Sequence, residues 1–536
     1  MDKSISFNHF FTITKVIVMI ISELAEPFFL QRDLKRFLPL IVFLFLLMNS
    51  GIHAQNKPFP QQVNFPGCIK PSNVTQIEMN ETIIDFYQKW KSKYLKKSDG
   101  GEIGKGYYIN MKGTGGSGTE VTTSEAHGYG MIIFALMAGF DDSARIYYDG
   151  MVNLYDLHRS TINNNLMSWV IDPANGNSDG ATDGDMDIAY SFLLASNQWG
   201  NDGIIQYKAK TDSMINLGLK GDDVRKSGSK RTTLGDWDGS LYNTRSSDWM
   251  ADHMRAYYSL TKDLFWLEAA DTIYSLINQI SFSHSTTTGL MPDFVVDKIP
   301  TPAKPDFLEA QTDGDYSWNA CRFPWRIAVD YAHYGTATAK EHLNKMLNWL
   351  KNSTNNNPEK IVAGYKLDGS KLVNYSDMAF TAPFIAACVC DATHQEYLNK
   401  GWSIIKKPQG DYYGDSIALL CLLFISGNWW KADLTATNTP SFSSAPHTRS
   451  NGKYKVQIRN SILTVQYNLP SKQAVRLTLS DISGRIFKKV QMWNHGSFQT
   501  AQFDLNTLKL QSGIYLMKIS SPTVNDVIKI NYTGNI

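Results

Sequence analysis

The chain has 536 residues, 43% hydrophobic and 12% aromatic, with 52 basic against 50 acidic side chains and a formal charge of +2. That length is ample for a large core and exceeds one ordinary domain, while the near-neutral balance excludes the basic footprint of a nucleic-acid binder. The 13 Trp, 26 Tyr and 26 Phe suit either stacking against flat apolar faces or a Trp-rich core, and composition does not separate the two.

Near the N-terminus Lys35-Arg36 precede an apolar run at 37–48, and small and polar residues follow up to Ala54. A basic flank, a short apolar run and a small residue before Gln55 read as a secretory signal peptide. The run is short for a membrane span. Residues 1–33 precede it; a start assigned too early explains them, and a membrane-associated stretch at 16–21 is the rival. The mature chain is therefore expected to begin near Gln55, secreted or at the cell surface. Of the five cysteines, Cys68, Cys321, Cys388, Cys390 and Cys421, most lie in apolar runs, which points to buried thiols rather than a disulfide framework. Cys388-Val-Cys390 has the wrong spacing for a zinc or redox pair, so neither a structural metal nor a cofactor is expected.

From about 75 to 432, amphipathic or apolar helical runs alternate with Gly/Asp/Asn-rich loops: 80–97, 125–139, 143–157, 184–198, 248–262, 264–280, 320–334, 338–352, 378–391 and 413–426. Ten to twelve paired helices suggest a closed toroid of helical hairpins, and long loops at 106–123, 171–182, 227–247 and 290–318 become functional candidates. The first carboxylate motif is Thr122-Thr-Ser-Glu-Ala-His-Gly-Tyr-Gly-Met131, with Ser124 as the expected N-cap and Glu125 in the first turn. Glu125 is there either as a site acid at the rim of the bundle or as a capping acid favoured by the helix dipole. His127 points elsewhere and suits packing.

In the second motif Asp183, Asp185 and Asp187 alternate. A calcium loop would need Gly at position six and Glu at twelve, where Ile188 and Leu194 stand. A helix start capped by Thr182 or Asp183 fits better, with one acid facing the site and the others holding loops. In the third, a loop with Glu309, Asp313 and Asp315 feeds a helix from about Asn319. Arg322 and Arg326 share one face of it and call for carboxylates such as Asp183 or Asp187. Trp169, Tyr190, Trp237, Trp249, Tyr316 and Trp318 are the aromatic candidates for sugar stacking, against ordinary packing; Trp325 and Trp349 read as core.

After Trp430 a Ser/Thr/Pro linker at 433–450 leads into strand patterns at 454–458, 462–467, 475–479 and 514–519, with turns at Ser483-Gly484 and Ser512-Gly513. These describe a small β-sandwich over 451–536. Through Leu479-Ser-Asp-Ile-Ser-Gly-Arg485 and Leu510-Gln-Ser-Gly-Ile-Tyr-Leu-Met-Lys-Ile519 it resembles the C-terminal sorting domain of the type IX secretion system, which implies the secretion machinery as a partner. A carbohydrate-binding sandwich is the rival, but no row of exposed Trp is visible.

Together, Ser124-Glu-Ala-His-Gly-Tyr-Gly-Met131, Ala181-Thr-Asp-Gly-Asp-Met-Asp-Ile-Ala189 and Asn319-Ala-Cys-Arg-Phe-Pro-Trp-Arg326 resemble glycoside hydrolase family 8, inverting enzymes that cut β-1,4-linked glycans. The resemblance spans roughly 75–430 and implies a mainly α chain, with an (α/α)6 barrel over 55–432 ahead of the sandwich. It implies Glu125 as general acid and Asp183 as the acid beside the −1 sugar. In the cellulase-like branch an Asp base occupies the position held here by Asn319, whose neutral amide cannot activate water. In the branch of chitosanases and lichenases the base is a Glu on an inserted loop just upstream. That points to Glu309, with Asp313 and Asp315 as fallbacks. Asn319 and Arg322 then join the aromatics as substrate-binding candidates.

Inversion needs an acid on the leaving oxygen and a base holding water across the ring, about 6.5–9.5 Å apart. Glu125 must be protonated although a helix N-terminus favours its charged form, so desolvation and an ionised Asp183 have to raise it. Chitosan is a polycation, and Asp179, Asp236, Asp238, Asp248, Asp252, Asp293, Asp306, Asp313 and Asp315 could line an acidic cleft. The sequence reading therefore leans to a secreted, monomeric chitosanase. Lichenase, cellulase or xylanase activity is the alternative; a surface glycan-binding protein and an (α/α)6 polysaccharide lyase are the readings from other classes.

Overall fold

The computed structural model describes residues 55–111, 118–226, 228–432 and, with breaks at turns, 449–532. The signal-peptide reading of 1–54, most of the 433–450 linker, and the turns at Ser483-Gly484 and Ser512 fall outside the described residues. The chain divides into two compact units between Leu434 and Thr435.

The first unit holds twelve α-helices among the described residues: α1 (Gln76–Tyr94), α2 (Ser124–Met137), α3 (Ala144–Leu157), α4 (Thr182–Trp199), α5 (Tyr207–Ser213), α6 (Ala251–Thr261), α7 (Phe265–Ser283), α8 (Phe323–Tyr334), α9 (Ala337–Ser353), α10 (Met378–Ala387), α11 (Gln395–Ile405) and α12 (Tyr412–Ile425). They form two classes. In α9 the buried residues Ala339, His342, Leu343, Met346, Leu347 and Leu350 make one stripe at helical spacing. In α2 every residue but Glu125 is buried, and in α12 every residue but Tyr413. Such all-round burial requires neighbours on every side. The contacts supply them: α2 packs on α4, α4 on α6, α6 on α8, α8 on α10, α10 on α12, and α12 returns to α2. The outer helices α3, α5, α7, α9 and α11 each lie on the inner helix before them, and α1 lies on α12.

Two glycines let α2 and α4 approach closely. A Cβ on Gly184 would stand 2.2 Å from Ser124 Oγ, and one on Gly128 would stand 2.6 Å from Asp187 Cβ. The contact brings the starts of the two helices, and so Glu125 and Asp183, to one place. The segment before α1 crosses the opposite end, where the inner helices finish. Phe59 N donates to Ala138 O (2.6 Å), Val63 N to Gly427 O (2.7 Å) and Ile69 N to Val389 O (2.9 Å). Short strands brace the loops: β1 (Leu95–Asp99) pairs with β2 (Lys105–Ile109), and β3 (Thr122–Thr123) with β4 (Val170–Ile171). β5 (Thr244–Arg245), β6 (Phe294–Val296) and β7 (Thr301–Pro302) form a three-stranded sheet. No described helix is long and apolar enough to cross a membrane.

The second unit is all strand: β8 (Arg449–Ser450), β9 (Tyr454–Arg459), β10 (Ile462–Tyr467), β11 (Gln473–Asp481), β12 (Ile486–Asn494), β13 (Gln499–Asp504), β14 (Gly513–Ser521) and β15 (Val524–Tyr532). They lie in two antiparallel four-stranded sheets, ordered β13-β10-β9-β8 and β12-β11-β14-β15. Alternate residues Leu463 and Val465 from one sheet, and Val475, Leu477, Leu479, Met517 and Ile519 from the other, share one core.

Candidate active site

Helices α2, α4, α8 and α12 begin around a cleft of about 810 Å³. Glu125 enters it from the start of α2, where Thr123, not Ser124, caps the helix by accepting from Ala126 N at 3.2 Å. Asp183 enters from the first turn of α4, whose cap is Ala181 with no side-chain bond. The three alternating acids of that turn divide as their helical angles require. Asp183 lines the cleft, Asp185 accepts from Met167 N at 2.8 Å, and Asp187 takes both Arg326 and His253 Nε2 (2.9 Å).

Arg322 is the hub. It is 2% exposed, and its Nη1 donates to Glu125 Oε2 and to Asp183 Oδ2 (2.8 Å), while its Nη2 donates to Asn319 Oδ1 (2.9 Å). Asn319 Nδ2 in turn donates to Glu309 Oε2 at 2.8 Å, and Arg245 Nη2 to Glu309 Oε1 at 3.2 Å. Arg245 Nη1 also lies 3.8 Å from Asp183 Oδ1. On the other side of Glu125, Tyr412 at the start of α12 donates to Oε1 at 2.5 Å. Glu125 and Glu309 are thus joined through two intervening side chains.

Burial raises the Glu125 carboxyl; Arg322 and the Tyr412 hydroxyl pull it down, Asp183 pushes it up, and the net direction is upward. Asp183 goes the other way. Its burial cost is outweighed by Arg322 and Arg245, so it stays ionised. One acid raised beside one lowered is the division of labour that acid catalysis demands. Asp248, fully buried, is pushed to about 7 by burial. His127 donates from Nε2 to Met151 O (2.8 Å), is lowered to about 4 by burial, and stands apart from the cleft.

Several sequence expectations need correction. Trp169, Trp237 and Trp318 line the cleft with rings 40%, 41% and 41% exposed. Tyr190, Trp249 and Tyr316 are wholly buried instead. Tyr190 stacks on His253 at 3.9 Å, Trp249 bonds Thr244 Oγ1 at 3.0 Å, and Tyr316 packs on Phe384. Both fallback bases lie outside the residues that line the cleft: Asp313 is 1% exposed and accepts three backbone N–H groups, and Asp315 is half-buried. The acidic lining argued for chitosan also fails, because of the nine Asp residues only Asp179 faces the cleft. Several of the others hold the scaffold: Asp293 takes Ser317, Asn319 and Ala320 N–H, Asp236 takes Gly180 N, and Asp252 pairs with His333. Four carboxyl groups, Glu125, Asp179, Asp183 and Glu309, face two guanidinium groups, Arg245 and Arg322.

Sequence reasoning missed Arg245, Tyr412 and Tyr413. Arg245 sits in a loop already marked by its length. The tyrosines follow Asp411, which caps α12 by accepting from Gly414 N at 2.7 Å, and that cap was the available signal.

The profile described as Glycosyl hydrolases family 8 matches residues 74–427, two thirds of the chain. The chain belongs to this family. An endoglucanase of Bacillus sp. (strain KSM-330) is 44% identical over 389 residues, covering 71% of this chain and 83% of its own. A beta-glucanase of Niallia circulans is 40% identical over 400 residues, covering 73% and 95%. The solved apo beta-1,3-1,4-glucanase of Paenibacillus sp. X4 is 40% identical with a TM-score of 0.67, covering 70% of this chain and all of its own. A xylanase complex from Teredinibacter turnerae, 17% identical with a TM-score of 0.56 and covering 67% and 95%, shares the fold. Residues 459–531 match the Secretion system C-terminal sorting domain. The protein is therefore an inverting glycoside hydrolase with a sorting domain.

Proposed function

We propose that this hydrolase is an exported endo-β-glucanase acting on β-1,4 or mixed β-1,3-1,4 glucan, with Glu125 as general acid and Glu309 as general base. The observation that carries the reading is the convergence of both carboxyl groups on one aromatic-walled cleft, Glu125 16% exposed and raised, Glu309 45% exposed. Trp169, Trp237 and Trp318 would stack on the sugars. Glu125 would protonate the departing oxygen, and Glu309 would take a proton from a water attacking the opposite face, inverting the anomeric carbon. Asp183, kept ionised, would stabilise the positive charge that develops on the −1 sugar. The helical ring supports an (α/α)6 barrel over 55–432, and the paired four-stranded sheets support a β-sandwich over 451–536, joined by the 433–450 linker. The sorting domain and the signal-like N-terminus support secretion or surface display. The enzyme is proposed to act as a monomer with no nucleic-acid partner.

The test is reducing-end release by the mature chain on mixed-linkage β-glucan, carboxymethylcellulose, chitosan and xylan, with Glu309→Gln alongside. Preference for the glucans, lost at least about a hundredfold in the variant, is the expected result. Preference for chitosan or xylan overturns the substrate, and a fully active Glu309→Gln overturns the base.

A further inference from the structure

Each carboxylate oxygen of Glu309 has its own donor: Asn319 Nδ2 at 2.8 Å on Oε2, and Arg245 Nη2 at 3.2 Å on Oε1. Both donors are buried and fixed. Asn319 is 7% exposed, and its backbone N–H donates to Asp293 Oδ1 at 3.1 Å, a carboxylate that also holds Ser317 N and Ala320 N. Arg245 is 8% exposed and lies on β5, which pairs with β6. The Asn319 amide can face only one way. Its oxygen accepts from Arg322 Nη2 at 2.9 Å, so its nitrogen must face Glu309. A carboxylate at 319 could satisfy Arg322 but would turn an acceptor on Glu309. The neutral residue is there because the position needs one acceptor and one donor at once.

Arg322 also bonds Glu125, so hydrogen bonds run without a break from Glu125 through Arg322 and Asn319 to Glu309. We propose that Asn319 and Arg245 are positioning residues that clamp the Glu309 carboxylate, and that Asn319, through Arg322, ties its placement to that of Glu125. The proposal rests on the assignment of those two residues as base and acid.

The test is the pH profile of kcat/KM for the mature full-length chain on mixed-linkage β-glucan. In Asn319→Ala, kcat should fall about tenfold or more with KM within about threefold. The acidic limb should rise by about one pH unit, since a hydrogen bond to a charged group is lost. Arg245→Lys, which keeps a cation near Asp183 but loses the fork, should move the same limb the same way by less, and serves if Asn319→Ala does not fold. A fall in kcat with the acidic limb unmoved in both variants reduces the pair to ordinary structural residues and overturns the clamp. Asn319→Asp should be weaker than wild type at neutral pH, because two facing carboxyl groups share a proton. Full activity of Glu309→Gln alone would instead remove the base assignment, so the two failures are distinct.

Discussion

Asp313 offers the sharpest separation of scaffold from chemistry. Its carboxylate accepts from Leu308 N (2.7 Å), Glu309 N (3.0 Å) and Ala310 N (2.9 Å), and it is 1% exposed. Asp313→Ala removes all three acceptor contacts at once. A hydrogen bond to a charged group contributes about 1.5–3 kcal/mol net, but the freed N–H groups of a surface loop regain water, so a loss of about 2–4 kcal/mol in the ordered loop is the reasonable sum. At about 1.4 kcal/mol per tenfold, that is roughly a 30- to 900-fold loss of the conformation that presents Glu309. The barrel does not depend on this loop, so the melting temperature should change by only a few degrees while kcat collapses. Reducing-end release with thermal unfolding on the same sample measures both. Activity of Asp313→Ala within threefold of wild type would refute the reasoning, and an inactive Asp313→Ala beside an active Glu309→Gln would transfer the base to Asp313.

Two further outcomes test the electrostatics. Tyr412→Phe removes the donor at 2.5 Å from Glu125 Oε1, a bond that favours the charged carboxylate. The acid should then hold its proton to higher pH, and the alkaline limb of the rate profile should move up by about one unit; a downward shift would contradict the assignment. Asp223 is fully buried, and burial, then Asp236, raises it well above the usual carboxylate range. A raised folded value means the stability it contributes is present below pH about 4 and is lost as pH climbs toward the folded value. Asp223→Asn should thus leave the melting temperature nearly unchanged at pH 4 and raise it at pH 8, by the equivalent of about 1–3 kcal/mol; a variant with a pH-independent shift would refute the titration.

Much of the architecture is written in local patterns. The 3.6-residue periodicity marked most of the helices, and the apolar runs of α2 and α12 agree with their burial on nearly all sides. Glu125 and Asp183 could be found because a carboxylate in the first turn of an otherwise apolar helix is a local anomaly. The loop base could be placed only through a resemblance, since nothing in Phe307-Leu-Glu-Ala310 itself distinguishes Glu309 from Asp313.

What tertiary structure alone decided is which groups face one another. A tryptophan in a loop reads the same whether it is covered, as Trp249 is, or open, as Trp169 is, because exposure depends on neighbours far along the chain. The acids that seemed to favour a cationic polymer proved to be anchors for backbone N–H groups, since Asp serves turns and helix starts as readily as cleft walls. Arg245 and Tyr412 reach the site from 120 residues after and 287 residues after Glu125, respectively, as the positions in the sequence show. The sequence by itself determined the paired helices, the sorting domain and the carboxylates that head α2 and α4. Closure of the ring decided the rest, because only there do helix starts distant in sequence come within hydrogen-bonding distance.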